Sequence, residues 1–137
     1  MGTSGTSVKV SSNGIISLAT LTTAYANSPL PQYSVANPAI FPCWDDLYIF
    51  QGTPQGIFYA VDDGAVGSRG TTFEFYEAQY QGSTLYYHFL VSFWENLPNV
   101  FTIDYLNMTN SGSGATVGVN SQSGMFRPSR FDGCTIG

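Results

Sequence analysis

Most of the chain consists of short runs in which hydrophobic and polar residues alternate, separated by Gly, Pro and Asn. These separators recur about every eight to fifteen residues, and no run repeats with the period of an amphipathic helix. Such a pattern is typical of an all-β protein whose antiparallel strands form two packed sheets, a β-sandwich or jelly roll. We therefore expect a single domain over residues 1–137, with its core at about residues 7–120 and a C-terminal loop at 121–137.

Turn signals divide this pattern into individual strands. Asn13-Gly14 is the strongest of them and predicts a hairpin between strands at residues 7–10 and 14–18. The Pro- and Ala-rich residues that follow are predicted to form a long surface excursion over 19–38. Further strands are predicted at residues 47–50, 56–62, 71–80, 84–95, 99–108 and 115–120, the first two joined by a Gly-Thr-Pro-Gln turn.

The predicted strand at residues 84–95 is apolar on both faces. Because side chains alternate along a strand, Tyr86, His88 and Trp94 share one face, while Phe89 and Val91 share the other. The strand is therefore expected either to be buried on both sides or to line a groove.

Composition narrows the functional classes. Charged residues make up 9% of the chain and aromatic residues 15%, which is typical of secreted or cell-surface β-proteins and unlike a disordered chain. The net charge of −5, with only four Lys and Arg residues, argues against a nucleic-acid partner. No apolar run is long enough to span a bilayer, so membrane insertion is not expected. We expect an extracellular or cell-surface location.

The cysteines and one sequon fit that location. An even number of cysteines in an extracellular chain favours pairing, so we expect a Cys43–Cys134 disulfide rather than two unpaired thiols. The two cysteines and the single histidine lack the ligand spacing of a zinc site, and no cofactor is expected. Asn107-Met108-Thr109 is a candidate site for N-glycosylation.

Residues 39–48, AIFPCWDDLY, raise the question of an active site. Adjacent residues of a strand point to opposite faces, so Asp45 and Asp46 cannot act together as the facing carboxylates of a glycosidase. A jelly-roll glycosidase would instead combine an Asp with Glu74 or Glu95.

A structural role for the same segment is favoured. The carboxyl groups of Asp45 and Asp46 can bond to backbone amides at a chain corner, with Trp44 packed beneath them. Calcium held by the two aspartates is a weaker alternative, because the chain shows no calcium-loop spacing.

Aromatic side chains offer a different kind of site. Tyr and Trp rings can stack on sugars, and the candidates are Tyr25 and Tyr33 in the excursion and Tyr86 and Trp94 on the strand at 84–95, where His88 would line the same groove. The alternative is that most of these rings fill the core between the sheets.

Several segments in order resemble the NIDO-type extracellular module. They are VKVSSNGIISL, PAIFPCWDDLYI, GIFYAV, YYHFLVSFWENLPNVFTIDYL and ATVGVNS, which together span about residues 8–120. The sequence is similar to variants found in secreted, wall-associated or adhesin-like proteins of filamentous fungi. The resemblance implies an extracellular β-rich domain without catalytic activity, in which Asp45 and Asp46 are structural residues of the corner. Cys43 departs from the aromatic residue common at its position in this module.

The favoured function is thus a non-catalytic extracellular module for adhesion or for surface or matrix assembly. A carbohydrate-binding, lectin-like domain with an aromatic groove is the first alternative, and a jelly-roll glycoside hydrolase is the second. The expected partner is a glycan or a surface protein, and an exposed edge strand could also support self-association.

Overall fold

The computed structural model describes residues 7–120, and these residues are almost entirely β-structure. The only helical element is a short 3-10 turn at Thr109–Gly112 within the described part. The strands are β1 Lys9–Ser11, β2 Ile15–Ser17, β3 Ala39–Trp44, β4 Leu47–Tyr48, β5 Gly56–Asp62, β6 Gly70–Gln79, β7 Tyr86–Trp94, β8 Phe101–Met108 and β9 Thr116–Asn120.

The strands form two antiparallel sheets. The four-stranded sheet has the order β1-β2-β3-β9. In the five-stranded sheet, β6, β7 and β8 are neighbours, and β4 and β5 both pair with the other side of β6. The two-sheet β-sandwich predicted from the pattern is confirmed.

The Asn13-Gly14 hairpin is confirmed as the turn between β1 and β2, where Ser11 pairs with Ile15. Gly14 has φ +68°, a left-handed conformation that favours glycine, and its amide donates a hydrogen bond to the Ser11 carbonyl over 3.1 Å. A Cβ atom at position 14 would lie 2.0 Å from the carbonyl oxygen of Cys43 on β3. The turn therefore packs directly against the backbone of β3, with no space for a side chain at position 14.

The structure corrects two details of the predicted strands. Residues 39–44 form the strand β3, which was predicted only as part of a corner. All six of its residues are buried, so the alternation that marks a half-exposed strand is missing from its sequence. In addition, β4 is shorter than predicted and does not pair with β5, because the two lie one after the other along β6.

The main core lies between the two sheets. Phe75 on β6 and Phe89 on β7 are fully buried there and stack with their ring centroids 4.6 Å apart. Ile16 and Ile40 of the four-stranded sheet pack against the same cluster. Burial of such side chains stabilises the fold by ~1.5–3 kcal/mol each.

A second, smaller cluster lies on the other side of the four-stranded sheet. Residues 19–38 contain no strand and cover this outer face, as the predicted excursion would. Trp44 is fully buried there, with its ring centroid 5.3 Å from that of Phe41. Residues 121–137, including Cys134, lie outside the described residues, so the predicted loop and disulfide stay predictions.

Candidate functional site

The corner between β3 and β4 is held by side-chain hydrogen bonds. Oδ2 of Asp45 accepts hydrogen bonds from Nε2 of Gln79 over 3.1 Å and from the hydroxyl of Tyr87 over 3.3 Å. Oδ1 of Asp45 accepts one from the backbone amide of Asp46 over 2.9 Å. The Asp45 carboxylate thus connects the corner to strands of the five-stranded sheet.

The neighbours of Asp45 are tied to the fold in the same way. Trp44 donates its indole N–H to the carbonyl of Ala24 over 3.0 Å, and its own carbonyl accepts a hydrogen bond from Asn27 over 2.8 Å. The carbonyl of Asp46 accepts the backbone amide of Tyr80 over 2.9 Å. These contacts support a structural role for the corner. Among residues 7–120, no three Asp, Glu, His or Cys side chains are grouped as a metal site would require.

The outer face of the five-stranded sheet carries a partly exposed group of polar aromatic residues. Tyr76 stacks on Tyr86 with 5.8 Å between ring centroids, and its ring centroid is 4.9 Å from that of His88. Nε2 of His88 lies 2.8 Å from a carboxylate oxygen of Glu74. We call Glu74, Tyr76, Tyr86 and His88 the outer aromatic cluster.

The sequence-predicted aromatic residues are only partly brought together. Tyr86 and His88 belong to the outer aromatic cluster, and Trp94 lies on the same face of β7. Trp94 is six positions along β7 from His88, a distance of ~20 Å. Tyr25 and Tyr33 are exposed on the excursion, which covers the opposite side of the sandwich. The five residues therefore do not form one site.

Asn107 of the sequon is exposed on β8 and lies directly opposite His88 of β7. Residues directly opposite each other in an antiparallel pair share a face. A glycan on Asn107 would therefore start beside the outer aromatic cluster.

The least covered strand of the sandwich is β5, which sequence analysis did not single out as a site. It pairs with β6 over all seven of its residues, and within the described chain no strand pairs with its other edge. Its last five residues are exposed, with Phe58 49%, Tyr59 74% and Val61 52% accessible. Its sequence, GIFYAVD, has no proline and no charge before Asp62, which is the composition of a segment prone to strand pairing but does not by itself indicate an edge.

Among the other outer strands of the described chain, β4 has only two residues, and β9 is at most partly exposed, with its Thr116 and Asn120 side chains bonded to the 19–38 excursion. The remaining two, β1 and β8, have features that discourage pairing. The outer strand β1 has three residues and includes Lys9. The outer strand β8 contains Asp104 and an irregular register between His88 and Phe89 of its partner strand. Short strands, charges and bulges are the usual protections of an edge, and β5 lacks all of them along most of its length.

Two further carboxyl groups have strongly shifted pKa values. Glu77 on β6 is fully buried, neither of its oxygens has a hydrogen-bond partner among residues 7–120, and desolvation raises its pKa to about 9. Hydrogen bonding from Arg69 and from the Gly67 amide lowers the pKa of the exposed Glu95 to about 2. Glu77 is thus neutral inside the core, whereas Glu95 is an anion held by a surface arginine.

One end of the sandwich contains an apolar cavity of about 290 Å³ between the sheets. Its walls include Val8, Ile16, Phe73, Phe93 and Phe101. None of the described residues that line it has a titratable side chain.

Comparison with known proteins gives one family. A family model described as NIDO related matches residues 1–131. Neither the curated proteins nor the solved structures include a significant match to the chain. In the described residues there is no helix long and apolar enough to cross a membrane.

Proposed function

The chain belongs to the NIDO-related family, and we propose that it is a non-catalytic extracellular module that acts in adhesion or in surface or matrix assembly. Domains of this family are typically extracellular. The observation that carries the proposal is the open edge of β5, seven residues long and exposed at Phe58, Tyr59 and Val61.

An open edge of this kind supports association through strand addition. In a strand that pairs on one side only, every second residue turns its N–H and C=O groups toward the open edge. A partner strand that adds there gains backbone hydrogen bonds, while exposed apolar side chains on the edge supply contact area. Tyr59 and Val61 pair with Phe73 and Thr71 of β6, so their side chains lie on the face of the sheet that packs against the four-stranded sheet. Both side chains nevertheless remain more than half exposed to solvent.

The positions of the carboxylates support a non-catalytic role. Glu74 lies five residues along the chain from Arg69, the residue that Glu95 contacts, which is ~17 Å of extended chain. The acidic residue nearest to Glu74 across the described sheet is Asp104, since both lie opposite Leu90 of β7, two strand spacings or ~10 Å apart on an open face. The two-carboxylate mechanism of glycosidases operates over ~5–9.5 Å. Asp45 is engaged by Gln79 and Tyr87, and Glu77 is enclosed in the core.

The test uses beads coated with the full chain. The clumping of these beads, and their retention on surfaces coated with a fibrous surface or matrix protein, are compared for the wild type and a Tyr59→Lys/Val61→Lys variant. We expect the β5 variant to lose clumping, retention or both. Leu106→Lys, on the exposed part of β8, is the matched control and should behave as wild type. Wild-type beads that neither clump nor adhere would contradict the proposal.

Carbohydrate binding is a second candidate function, favoured by the outer aromatic cluster. The Tyr76 and Tyr86 rings provide stacking surface, and His88 with Glu74 provides hydrogen-bonding groups. A glycan array on the full chain tests it, with Tyr86→Ala expected to abolish any selective signal and Tyr25→Ala expected to retain it. A silent array would remove this candidate and leave adhesion through β5 intact.

A further inference from the structure

We propose that the partner added at β5 is a second copy of this chain, paired antiparallel about a twofold axis that passes by Tyr59. This inference rests on the proposed assembly function and specifies its partner. It would join two five-stranded sheets edge to edge through their β5 strands.

In this register β5 is complementary to itself. Tyr59 is the central residue of Gly56–Asp62 and would face its own copy. Ile57 would face Val61 of the second copy, which is a pair of β-branched side chains. Phe58 would face Ala60, so that a large side chain meets a small one.

The distribution of charge also favours pairing through β5. The chain has a net charge of −5, so contacts between broad faces of two copies are opposed by repulsion. The only charged residue of β5 is Asp62, at its end. Antiparallel pairing places Asp62 opposite Gly56, which keeps the two copies of Asp62 ~20 Å apart. A contact through the uncharged middle of β5 therefore brings the least electrostatic repulsion between the two copies.

The side chain of Tyr59 is largely exposed in the single chain. At 74% accessible, it is one of the most exposed large side chains among the described residues. Directly opposed residues of an antiparallel pair have Cβ atoms ~4.5–5.5 Å apart, so the two Tyr59 rings would cover each other. Phe58 already lies against its own strand, since a Cβ on Gly56 would be 2.9 Å from its ring, and it would not block the incoming edge.

The experiment measures the mass of the full chain by multi-angle light scattering across a concentration series. We expect a reversible monomer–dimer equilibrium for the wild type and for the Leu106→Lys control. Tyr59→Lys and Tyr59→Glu should each be monomeric at concentrations where the wild type is dimeric, because like charges would face each other across the axis. Far-UV circular dichroism and the melting temperature verify that both variants remain folded.

Mixing the two charge variants tests the register. An equimolar mixture of Tyr59→Lys and Tyr59→Glu should recover the dimer, since opposite charges then meet at the axis. A monomeric wild type at its highest soluble concentration, a dimeric Tyr59→Lys variant, or a mixture that stays monomeric would each overturn the inference. If the wild type is monomeric but its beads are still retained on a protein-coated surface through β5, self-pairing fails while the adhesion proposal stands.

Discussion

The hydroxyl of Tyr87 donates a hydrogen bond to Oδ2 of Asp45 over 3.3 Å, and this contact joins β7 to the corner between β3 and β4. Tyr87 is fully buried, so the bond is made at the margin of the core rather than in open solvent. The hydrogen bond thereby links β7 of the five-stranded sheet to the segment where the chain leaves the four-stranded sheet.

Removal of the Asp45 carboxylate should destabilise the fold. Asp45→Ala leaves the buried hydroxyl of Tyr87 and the amide of Gln79 without this acceptor, a loss of ~1–3 kcal/mol in the free energy of unfolding. Urea denaturation measures it. Asp46→Ala is the matched control, because the corner uses the backbone of Asp46, and it should cost less. Equal losses in the two variants would contradict the assignment of Asp45 as the anchor.

The buried carboxyl of Glu77 should make stability depend on pH. Its pKa is about 9 in the folded protein against an ordinary value of 4.5, so between these values the folded state holds a proton that the unfolded chain has released. The free energy of unfolding should therefore fall as pH rises, by up to ~1.4 kcal/mol per pH unit, with little change from this group below 4.5 or above 9.

Replacement of Glu77 by glutamine tests this dependence. Glu77→Gln keeps the shape but cannot ionise, so it should flatten the pH profile and be more stable than wild type at pH 7, by as much as ~3 kcal/mol. Glu95→Gln removes an exposed carboxyl whose pKa is about 2, which is ionised throughout this pH range, and should retain the wild-type slope. Urea midpoints between pH 5 and 9 measure both, and an unchanged slope in Glu77→Gln would refute the assignment.

Gly14 should be irreplaceable for two separate reasons. Gly14→Ala introduces a side chain at φ +68° and places its Cβ against the Cys43 carbonyl. Gly52→Ala is the control, because Gly52 also has a left-handed conformation, at φ +80°, but its added Cβ would meet no neighbouring atom of the described chain within 4 Å. It should lower the free energy of unfolding only by the ~1–2 kcal/mol that an L-residue loses in this conformation. We expect thermal unfolding to show a much larger loss for Gly14→Ala, or no folded protein. Equal losses would mean that β3 moves aside.

Asn107 should be glycosylated when the chain passes through a eukaryotic secretory pathway. It is exposed on β8 and followed by Thr109 in the sequon. Intact mass should decrease on treatment with an N-glycosidase, and both Asn107→Gln and Thr109→Ala should lack this decrease. A mass equal to that of the bare chain would show that the site is not used.

The periodicity of the sequence predicts that β5 is a strand but not that it lies at the edge of a sheet. The predicted strand at residues 56–62 coincides with β5, because its apolar residues and flanking turns are local signals. Whether a strand lies at an edge depends on which strands pair with it, and that is decided by residues far away in sequence. The open edge therefore became visible only with the sheet order.

For the outer aromatic cluster too, local sequence predicts part of the arrangement and the pairing of strands decides the rest. Alternation along the strand at 84–95 placed Tyr86 and His88 on one face, as β7 has them. Tyr76 and Glu74 join them through the register of β6 with β7, which no pattern within either strand specifies. Trp94 shares the face but lies at the far end of the strand, because a common face does not imply proximity.

Hydrogen exchange followed by mass spectrometry over a protein concentration series tests the role of β5 most directly. If copies of the chain pair through this strand, amides of residues 57–61 should become more protected as concentration rises, while those of residues 103–107 on β8 stay unchanged. Protection that does not vary with concentration in β5, or that increases in β8 instead, would contradict assembly through the β5 edge.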